Sequence, residues 1–288
     1  MSRVTFSIVV PFYNTEKTIE ACISSLVGQD YPKDKFEIIF VNNNSTDASC
    51  AIVARHPEVR LLHEGRQGAY AARNAGIIRA KGSFIVFTDA DAQARRDWLG
   101  NIAAVLKKAE CDLLLGWYTC PSPAPLLKVH GRYIAERTRR ALEQRNALML
   151  SGGAFNLIVK KEVLEKEDLF REIIRGADRS FILRCFNKGY RIGFDENIAV
   201  KRNDIHSLGV FLLKNFIYGC ASARSIDSGF SLRQGLQYIS FTVGFIRRNL
   251  SLGFMVLLPA FFYSTGYAAG KCKAIDPQGR LVSRVENL

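Results

Sequence analysis

The sequence of 288 residues contains no C-x-x-C pair. Its seven cysteines (Cys22, Cys50, Cys111, Cys120, Cys185, Cys220 and Cys272) are odd in number and scattered. That excludes a zinc ribbon and a disulfide framework. They read as small buried hydrophobes in a reducing compartment. The first residues lack a basic segment followed by an apolar one, so a cleaved signal peptide is not expected. Acid is scarce: 27 Asp and Glu face 40 Lys and Arg, a net charge of +13. Such a balance attracts phosphates, nucleic acid or anionic lipid. No nucleic-acid motif or aromatic-rich basic repeat accompanies it, so nucleic acid is not the expected partner. From Ile205 to Leu288 there are nine Lys/Arg against three Asp/Glu, a net of +6. This last region is also very apolar, which favours a membrane surface.

Apolar residues make up 48% of the chain, ample for a core. The length suits one large domain or one and a half. The pattern centres on Phe84-Ile85-Val86-Phe87-Thr88-Asp89-Ala90-Asp91. A β-branched and aromatic run reads as a buried strand, and this one ends in two carboxylates spaced i, i+2. Ligands of open parallel sheets lie beyond the carboxyl ends of the strands. Asp89 and Asp91 would therefore offer hard oxygen ligands where Mg²⁺ or Mn²⁺ could meet a diphosphate. Standing alone, an Asp-x-Asp more often closes a strand as a solvated turn.

The surroundings shift that balance. Phe6–Val10 reads as a strand broken by Pro11-Phe12-Tyr13-Asn14, and Thr15 reads as the cap of a helix running through Gln29. Phe36–Val41 is a second strand. Asn42-Asn43-Asn44-Ser45-Thr46-Asp47 follows it, with Ser45 or Thr46 as a natural N-cap. Val59–Leu62 is a third strand, and Gly65-Arg66-Gln67-Gly68 leads into a helix over Ala69–Arg79. Alternating strands and helices predict an α/β domain with a mainly parallel sheet and right-handed crossovers. Tyr13, Asn43, Arg73 and the two aspartates then gather on one sheet edge, as a nucleotide site requires.

The second half is less regular. Trp98–Ala109 reads as a helix and Leu113–Gly116 as a strand. Residues 120–125 form a proline-rich hinge, and Leu126–Asn146 a strongly basic helix. Ser151-Gly152-Gly153 permits close backbone approach before a strand over Asn156–Val159. Arg175-Gly176-Ala177-Asp178 opens a helix through Phe186, and Tyr190–Phe194 reads as an edge strand. Asn249–Gly270 carries no charge over 22 residues, near the bilayer-spanning length of about 20. Pro259 and its glycines make a re-entrant or interfacial pair an equal reading. Packing as core helices is the third.

Five blocks in order give the chain a family resemblance. Val9-Val10-Pro11-Phe12-Tyr13-Asn14, Val41-Asn42-Asn43-Asn44-Ser45-Thr46-Asp47, Ala72-Arg73-Asn74-Ala75-Gly76, Thr88-Asp89-Ala90-Asp91 and Gly176-Ala177-Asp178 (with Arg184 and Gly189-Tyr190-Arg191-Ile192) resemble the motifs of the family 2 glycosyltransferases. The likeness covers roughly residues 5 to 210. It implies a GT-A fold, a Rossmann-like mixed sheet flanked by helices, here with a C-terminal apolar helical tail. It also implies an inverting enzyme that moves a sugar from a nucleotide-diphosphate donor to a hydroxyl or phosphate acceptor. Residues 1–210 would be the catalytic domain, with 1–116 the nucleotide-sugar half and 117–210 the acceptor half. Residues 211–288 would be the membrane-associated region. Two departures stand out: Asn43 replaces the family's usual Asp at the nucleobase, and Ala177 replaces the Glu before the expected base.

Role by role, Asp91 would bind the divalent ion and Asp89 the ribose or the same ion through water. Asp178, at a helix N-terminus where an anion is favoured, would be the general base. Tyr13 would stack on the base beside Pro11 and Asn43, and Arg73 would reach a phosphate or the nucleoside. His206 would help bind metal or diphosphate, and Gly152 and Gly153 would admit a sugar to the backbone. The acceptor would be lipid-linked or a cell-surface glycan, handled at the cytoplasmic face of the cell membrane or in the cytoplasm. Two rivals are a nucleotidyltransferase, which usually carries a glycine-rich loop that Pro11-Phe12-Tyr13-Asn14 is not, and a non-catalytic nucleotide- or glycan-binding scaffold.

Overall fold

The architecture comes from a computed structural model that describes residues 5–119, 125–171, 176–202 and 232–248. The strands are β1 (Phe6–Phe12), β2 (Phe36–Asn42), β3 (Val59–His63), β4 (Phe84–Thr88), β5 (Ala92–Ala94), β6 (Leu113–Thr119), β7 (Asn156–Lys160) and β8 (Ile192–Arg202). The helices are α1 (Ile19–Val27), α2 (Ser49–Val53), α3 (Ala69–Arg79), α4 (Trp98–Ala109), α5 (Pro125–Glu143), α6 (Lys161–Lys166), α7 (Ala177–Asn187) and α8 (Leu232–Arg248). The chain divides into two compact units. The first comprises Met1–Thr119, Gly152–Ile173 and Phe181–Asp204; the second comprises Cys120–Ser151, Ile174–Ser180 and Ile205–Leu288.

The first unit holds one eight-stranded sheet in the order β3-β2-β1-β4-β7-β6-β8-β5. β1 runs parallel to β2 and β4, and β2 parallel to β3. Their carboxyl ends therefore open on one edge. The first four strands are thus parallel throughout, as expected, and β7, antiparallel to both β4 and β6, makes the whole a mixed sheet. β1, β2 and β4 are almost wholly buried, which is why they read as continuous apolar runs. Ile8, Val10, Phe40, Val86 and Ile158 form a core with Ile19, Ile23, Leu26, Trp98 and Leu99 of the covering helices. Each such side chain, fully buried, contributes about 1.5–3 kcal/mol.

Several local expectations are corrected. Pro11 does not break β1; it pairs with Val41 inside the strand. Thr5 accepts from Phe84 N–H on the β4 side, and Phe12 accepts from Asn43 N–H on the β2 side. Alternation turns Pro11 toward β4, whose register with β1 stops at Val9. Its missing N–H thus faces no ladder. Thr15 does not cap α1, which begins at Ile19 after a turn closed by the Thr15 carbonyl. Asp47, not Ser45 or Thr46, receives the Ser49 N–H that opens α2.

The expected edge strand at Tyr190–Phe194 is an interior strand. β8 lies between β6 and β5, and the register shifts so that Phe194 faces Leu115 while Ala199 faces Trp117. The polar Asp195-Glu196-Asn197 bulge hid the strand's second half.

In the second unit α5 and α8 share a small core. Val129, Tyr133 and Phe245 are buried there with Ile134, Phe241 and Ile246 against them. The Tyr133 and Phe245 rings meet edge-on at 5.2 Å. The Tyr133 and Thr242 hydroxyls lie 3.0 Å apart, and the Asn146 amide donates to Gln237 Oε1 at 3.0 Å. Among the described residues no helix is long and apolar enough to cross a membrane. The uncharged stretch Asn249–Gly270 and the proline-rich segment 120–124 lie outside the described residues, as does His206.

Candidate active site

The site grows from the shared edge of β1, β2, β3 and β4. β1 delivers Tyr13, which is 52% exposed and so is not a core tyrosine. β2 delivers Asn43, which is buried. β4 delivers Asp89 and, beyond buried Ala90, the half-buried Asp91. β7 begins opposite Thr88 at Asn156, which sets Gly152 and Gly153 just upstream at the same edge. A Cβ on Gly152 would lie 3.1 Å from a Leu115 methyl and 3.2 Å from one of Ile182, so its small size already serves packing.

Two loops on this edge are clipped together. Asn14 N–H donates to Ser45 Oγ at 3.1 Å, and Asn14 Oδ1 accepts from Thr46 N–H at 2.8 Å. Glu16 N–H donates to Asp47 at 3.0 Å, and Ala48 N–H donates back to Glu16 at 3.1 Å. Desolvation works to raise the Asp47 carboxyl. Hydrogen bonds from the Ser49 hydroxyl and the Glu16 and Ser49 N–H groups outweigh it and hold Asp47 below the usual carboxylate range.

Asn43 and Asn44, just past β2, hold the loop after β3, while Asn42, the last residue of β2, ties to β3 and to its own turn. Asn43 Nδ2 donates to the carbonyls of Glu64 at 3.0 Å and Arg66 at 2.8 Å, and its Oδ1 accepts from Gly68 N–H at 2.7 Å. Asn44 Nδ2 reaches the Gly65 carbonyl at 3.0 Å and Gln67 Oε1 at 3.1 Å. Asn42 meets His63 Nδ1 at 3.3 Å and Ser45 N–H at 3.0 Å. Gly68 then enters α3 at φ +136°, a conformation that only glycine takes without strain. Sequence reasoning gave Asn43 a ligand and missed this clasp; the run of three amides beside a Gly-x-x-Gly loop was the available signal.

α3 carries Arg73 into the site. The residue is 93% buried, and its guanidinium donates from Nη2 to Asp89 Oδ1 at 2.7 Å and lies 5.3 Å over the Tyr70 ring. The buried Cys22 thiol registers the charge that collects here. Burial first, then the negative charges of Asp91 and Asp89, push it well above the ordinary thiol range. The main chain of Asp89 accepts from both Cys22 Sγ at 3.6 Å and Ala92 N–H at 3.0 Å, which fixes the turn between the two aspartates.

Asp178 stands in the first turn of α7, within the second unit, and accepts the Arg179 N–H at 2.8 Å. Gly176, at φ +85°, starts the helix by accepting from Ser180 N–H. The Arg179 guanidinium donates to the Leu150 carbonyl at 3.1 Å. Tyr13, Asn43, Arg73, Asp89 and Asp91 thus share the edge of the first unit, and Asp178 belongs to the second.

Two acidic residues supply at most a partial shell for a cation. Among the described residues no group of three His, Cys, Asp or Glu gathers around one point. Paired carboxylates that need water and phosphate oxygens to complete an octahedron are what Mg²⁺ or Mn²⁺ takes. The residues present fit such an ion bound together with a diphosphate.

Comparison with known proteins addresses the family and the fold. A glycosyltransferase of Haloferax volcanii, AglE, is 26% identical over 221 residues, covering 74% of this chain and 71% of its own. The poly(ribitol-phosphate) beta-N-acetylglucosaminyltransferase TarS of Staphylococcus aureus is 27% identical over 228 residues, 74% of this chain. The chain spans only 38% of that relative's length. The mannosyltransferase PcManGT of Pyrobaculum calidifontis, solved with GDP-Man and Mn²⁺, superposes with a TM-score of 0.66 at 22% identity, covering 93% of this chain and 74% of its own. That likeness shows a shared fold, the mixed GT-A-like sheet flanked by helices. The sequence pattern of glycosyl transferase family 2 matches residues 7–166, more than half of the protein, and the chain belongs to that family.

Proposed function

We propose that this family 2 glycosyltransferase moves a hexosyl unit, with inversion, from a nucleotide-diphosphate sugar to a lipid-linked or cell-surface glycan acceptor. The observation that carries the reading is the part-buried Arg73–Asp89 pair at the sheet edge that also presents Asp91 and the clasped Glu64–Gly68 loop. A preorganised cation beside two carboxylates suits a charged diphosphate group.

In this reading Asp91 would hold a divalent ion, and such an ion would supply positive charge at the leaving diphosphate. Arg73 fixes Asp89 by ion pair, so that Asp89 meets the ribose in one orientation. Tyr13, exposed at the end of β1, stacks on the base beside Pro11 and Asn43. Asp178 accepts the proton of the acceptor hydroxyl, and attack from the face opposite the leaving group inverts the anomeric centre. His206 assists at the diphosphate, and Gly152 and Gly153 border the sugar. Residues 1–210 act as the catalytic region and 211–288 as the membrane-associated one. The relatives support the acceptor class: the name of TarS specifies poly(ribitol-phosphate). The enzyme works at the cytoplasmic face of the membrane.

The test is hydrolysis and transfer with UDP-, GDP-, dTDP- and CMP-sugars in Mn²⁺, Mg²⁺ or EDTA. Turnover of one donor should need the metal. Asp91→Ala should abolish metal-dependent nucleotide binding in calorimetry. Asp178→Asn should keep that binding and lower turnover about 10²–10⁴-fold, the usual worth of a general base. Equal turnover in EDTA, or an unaffected Asp178→Asn enzyme, would refute the assignment.

A further inference from the structure

Among the described residues only four large hydrophobic side chains are exposed: Tyr13, Ile78, Leu236 and Val243. Tyr13 stands at the sheet-edge site and Ile78 is solitary on α3. The other two share α8, where Leu236 is 57% and Val243 43% exposed. With Ser240 and Arg247, also exposed, they fall at i, i+4, i+7 and i+11, one stripe of the helix. The opposite stripe is committed to α5 through Phe241, Phe245 and Thr242. Leu236 and Val243 therefore point away from the unit's own core.

What flanks that stripe identifies its partner. A groove of about 510 Å³ runs between α5 and α8, lined by Arg140, Gln144, Leu236, Gln237, Ser240, Phe241 and Gly244. Arg140 is exposed at its rim, and Lys128, Arg132 and Arg139 carry positive charge round the exposed side of α5. No acid stands on α8, and none occurs in the sequence between Asp227 and Asp276. On α5 itself Glu136 and the exposed Glu143 stand against Lys128, Arg132, Arg137, Arg139 and Arg140, so the border stays net positive, and an apolar stripe with such a border matches an anionic lipid surface. Acyl chains take the Leu and Val, and phosphate headgroups take the guanidiniums. A protein partner would have to offer the same unusual pairing of an apolar strip with phosphate-like charge.

We infer that the outward stripe of α8, with the Arg140 rim of the α5–α8 groove, is the surface by which this protein docks on an anionic bilayer. The inference rests on the membrane placement proposed above and gives it a definite face. It requires no span: an interfacial helix buries only its apolar stripe at the headgroup boundary.

The experiment is co-sedimentation of the full chain with vesicles of phosphatidylcholine alone and with 30 mol% phosphatidylglycerol, at low and high salt. Leu236→Asp/Val243→Asp and Arg140→Glu/Arg247→Glu are run beside wild type, each checked for an unchanged melting temperature. Wild type should bind the anionic vesicles, release them as salt rises, and ignore neutral ones. Each double variant should lower the partition coefficient about tenfold or more. If wild type binds but both variants bind equally well, this surface is wrong and the membrane placement stands. Binding to neutral vesicles equal to that on anionic ones would also overturn the assignment of the arginine rim. If wild type binds neither vesicle, the membrane placement and this inference fail together.

Discussion

At position 43 an amide does what a carboxylate cannot. Both hydrogens of Asn43 Nδ2 go to main-chain carbonyls of the loop before α3, and its oxygen takes the Gly68 N–H. Asn43→Asp would leave two carbonyls facing a negative charge in a buried place. Each unsatisfied buried polar group costs about 1–3 kcal/mol, so the variant should lose roughly 2–5 kcal/mol. A urea titration measures it, and hydrogen exchange should localise the opening to residues 64–68. A loss under about 0.5 kcal/mol would mean the clasp contributes little. Glu167 offers a residue-scale test by pH. Hydrogen bonds from Lys188 at 2.7 Å and Tyr190 at 2.9 Å hold its carboxyl below the ordinary range. A depressed carboxyl stabilises the fold above its unfolded value, near 4.5, and loses that contribution as pH falls through the folded value. The melting temperature of wild type should exceed that of Glu167→Gln by a constant amount from pH 6 to 8. The gap should close as pH drops below about 4.5. A gap that widens in acid would show the sign to be wrong.

Elements were legible where the chain keeps one period from end to end. The helix over Ala69–Arg79 and the helix over Trp98–Ala109 stand where their spacing places them, as do the buried β1, β2 and β4. β5 and α6, of three and six residues, are too short to show a period, and both went unread. β8 was halved because its bulge is polar. The place of Pro11 inside β1 depends on a partner distant in sequence, Val41, which local pattern does not encode, whereas the Asp47 cap is local and was obscured by the neighbouring Ser45 and Thr46. In the site, the charged set at the strand ends was legible because parallel order brings strand ends together. The clasp made by Asn43 and Asn44 was not, because their partners lie more than twenty residues away. Gly76 shows how an element's seat can be tested. A Cβ there would overlap the Val9 side chain on β1 and come within 3.3 Å of Val41 on β2. In a free helix Gly→Ala gains about 1 kcal/mol. Overpacking costs about 1–3 kcal/mol and should win here, so Gly76→Ala should be destabilised in the same urea titration. A more stable variant would show that α3 can lift off the sheet without penalty.

On the scale of the whole molecule, linear order and spatial order diverge. The sequence invites a cut near residue 210, after the last family block. Yet the chain enters the sheet unit three times, and the intervening segments join residues beyond 205 in the second unit. α8 lies past such a cut and still closes the core of α5, with Phe245 98% buried against Tyr133 and Val129. A chain ending at 210 would leave Val129 and Tyr133 facing water and would lose the Asn146–Gln237 and Tyr133–Thr242 hydrogen bonds. Exposing these two side chains forfeits about 1.5–3 kcal/mol each, enough to loosen α5. The shortened protein should bind the dye ANS, and the amides of α5 should exchange at least about tenfold faster than in the full chain. The amides of β1, β2 and β4 should keep their protection, because their core is complete within Phe6–Val200. Equal exchange of α5 in the two chains would show that α8 is not what holds it, and that residues up to 210 suffice for the second unit's described part. Loss of protection in the sheet as well would show that the two units unfold as one.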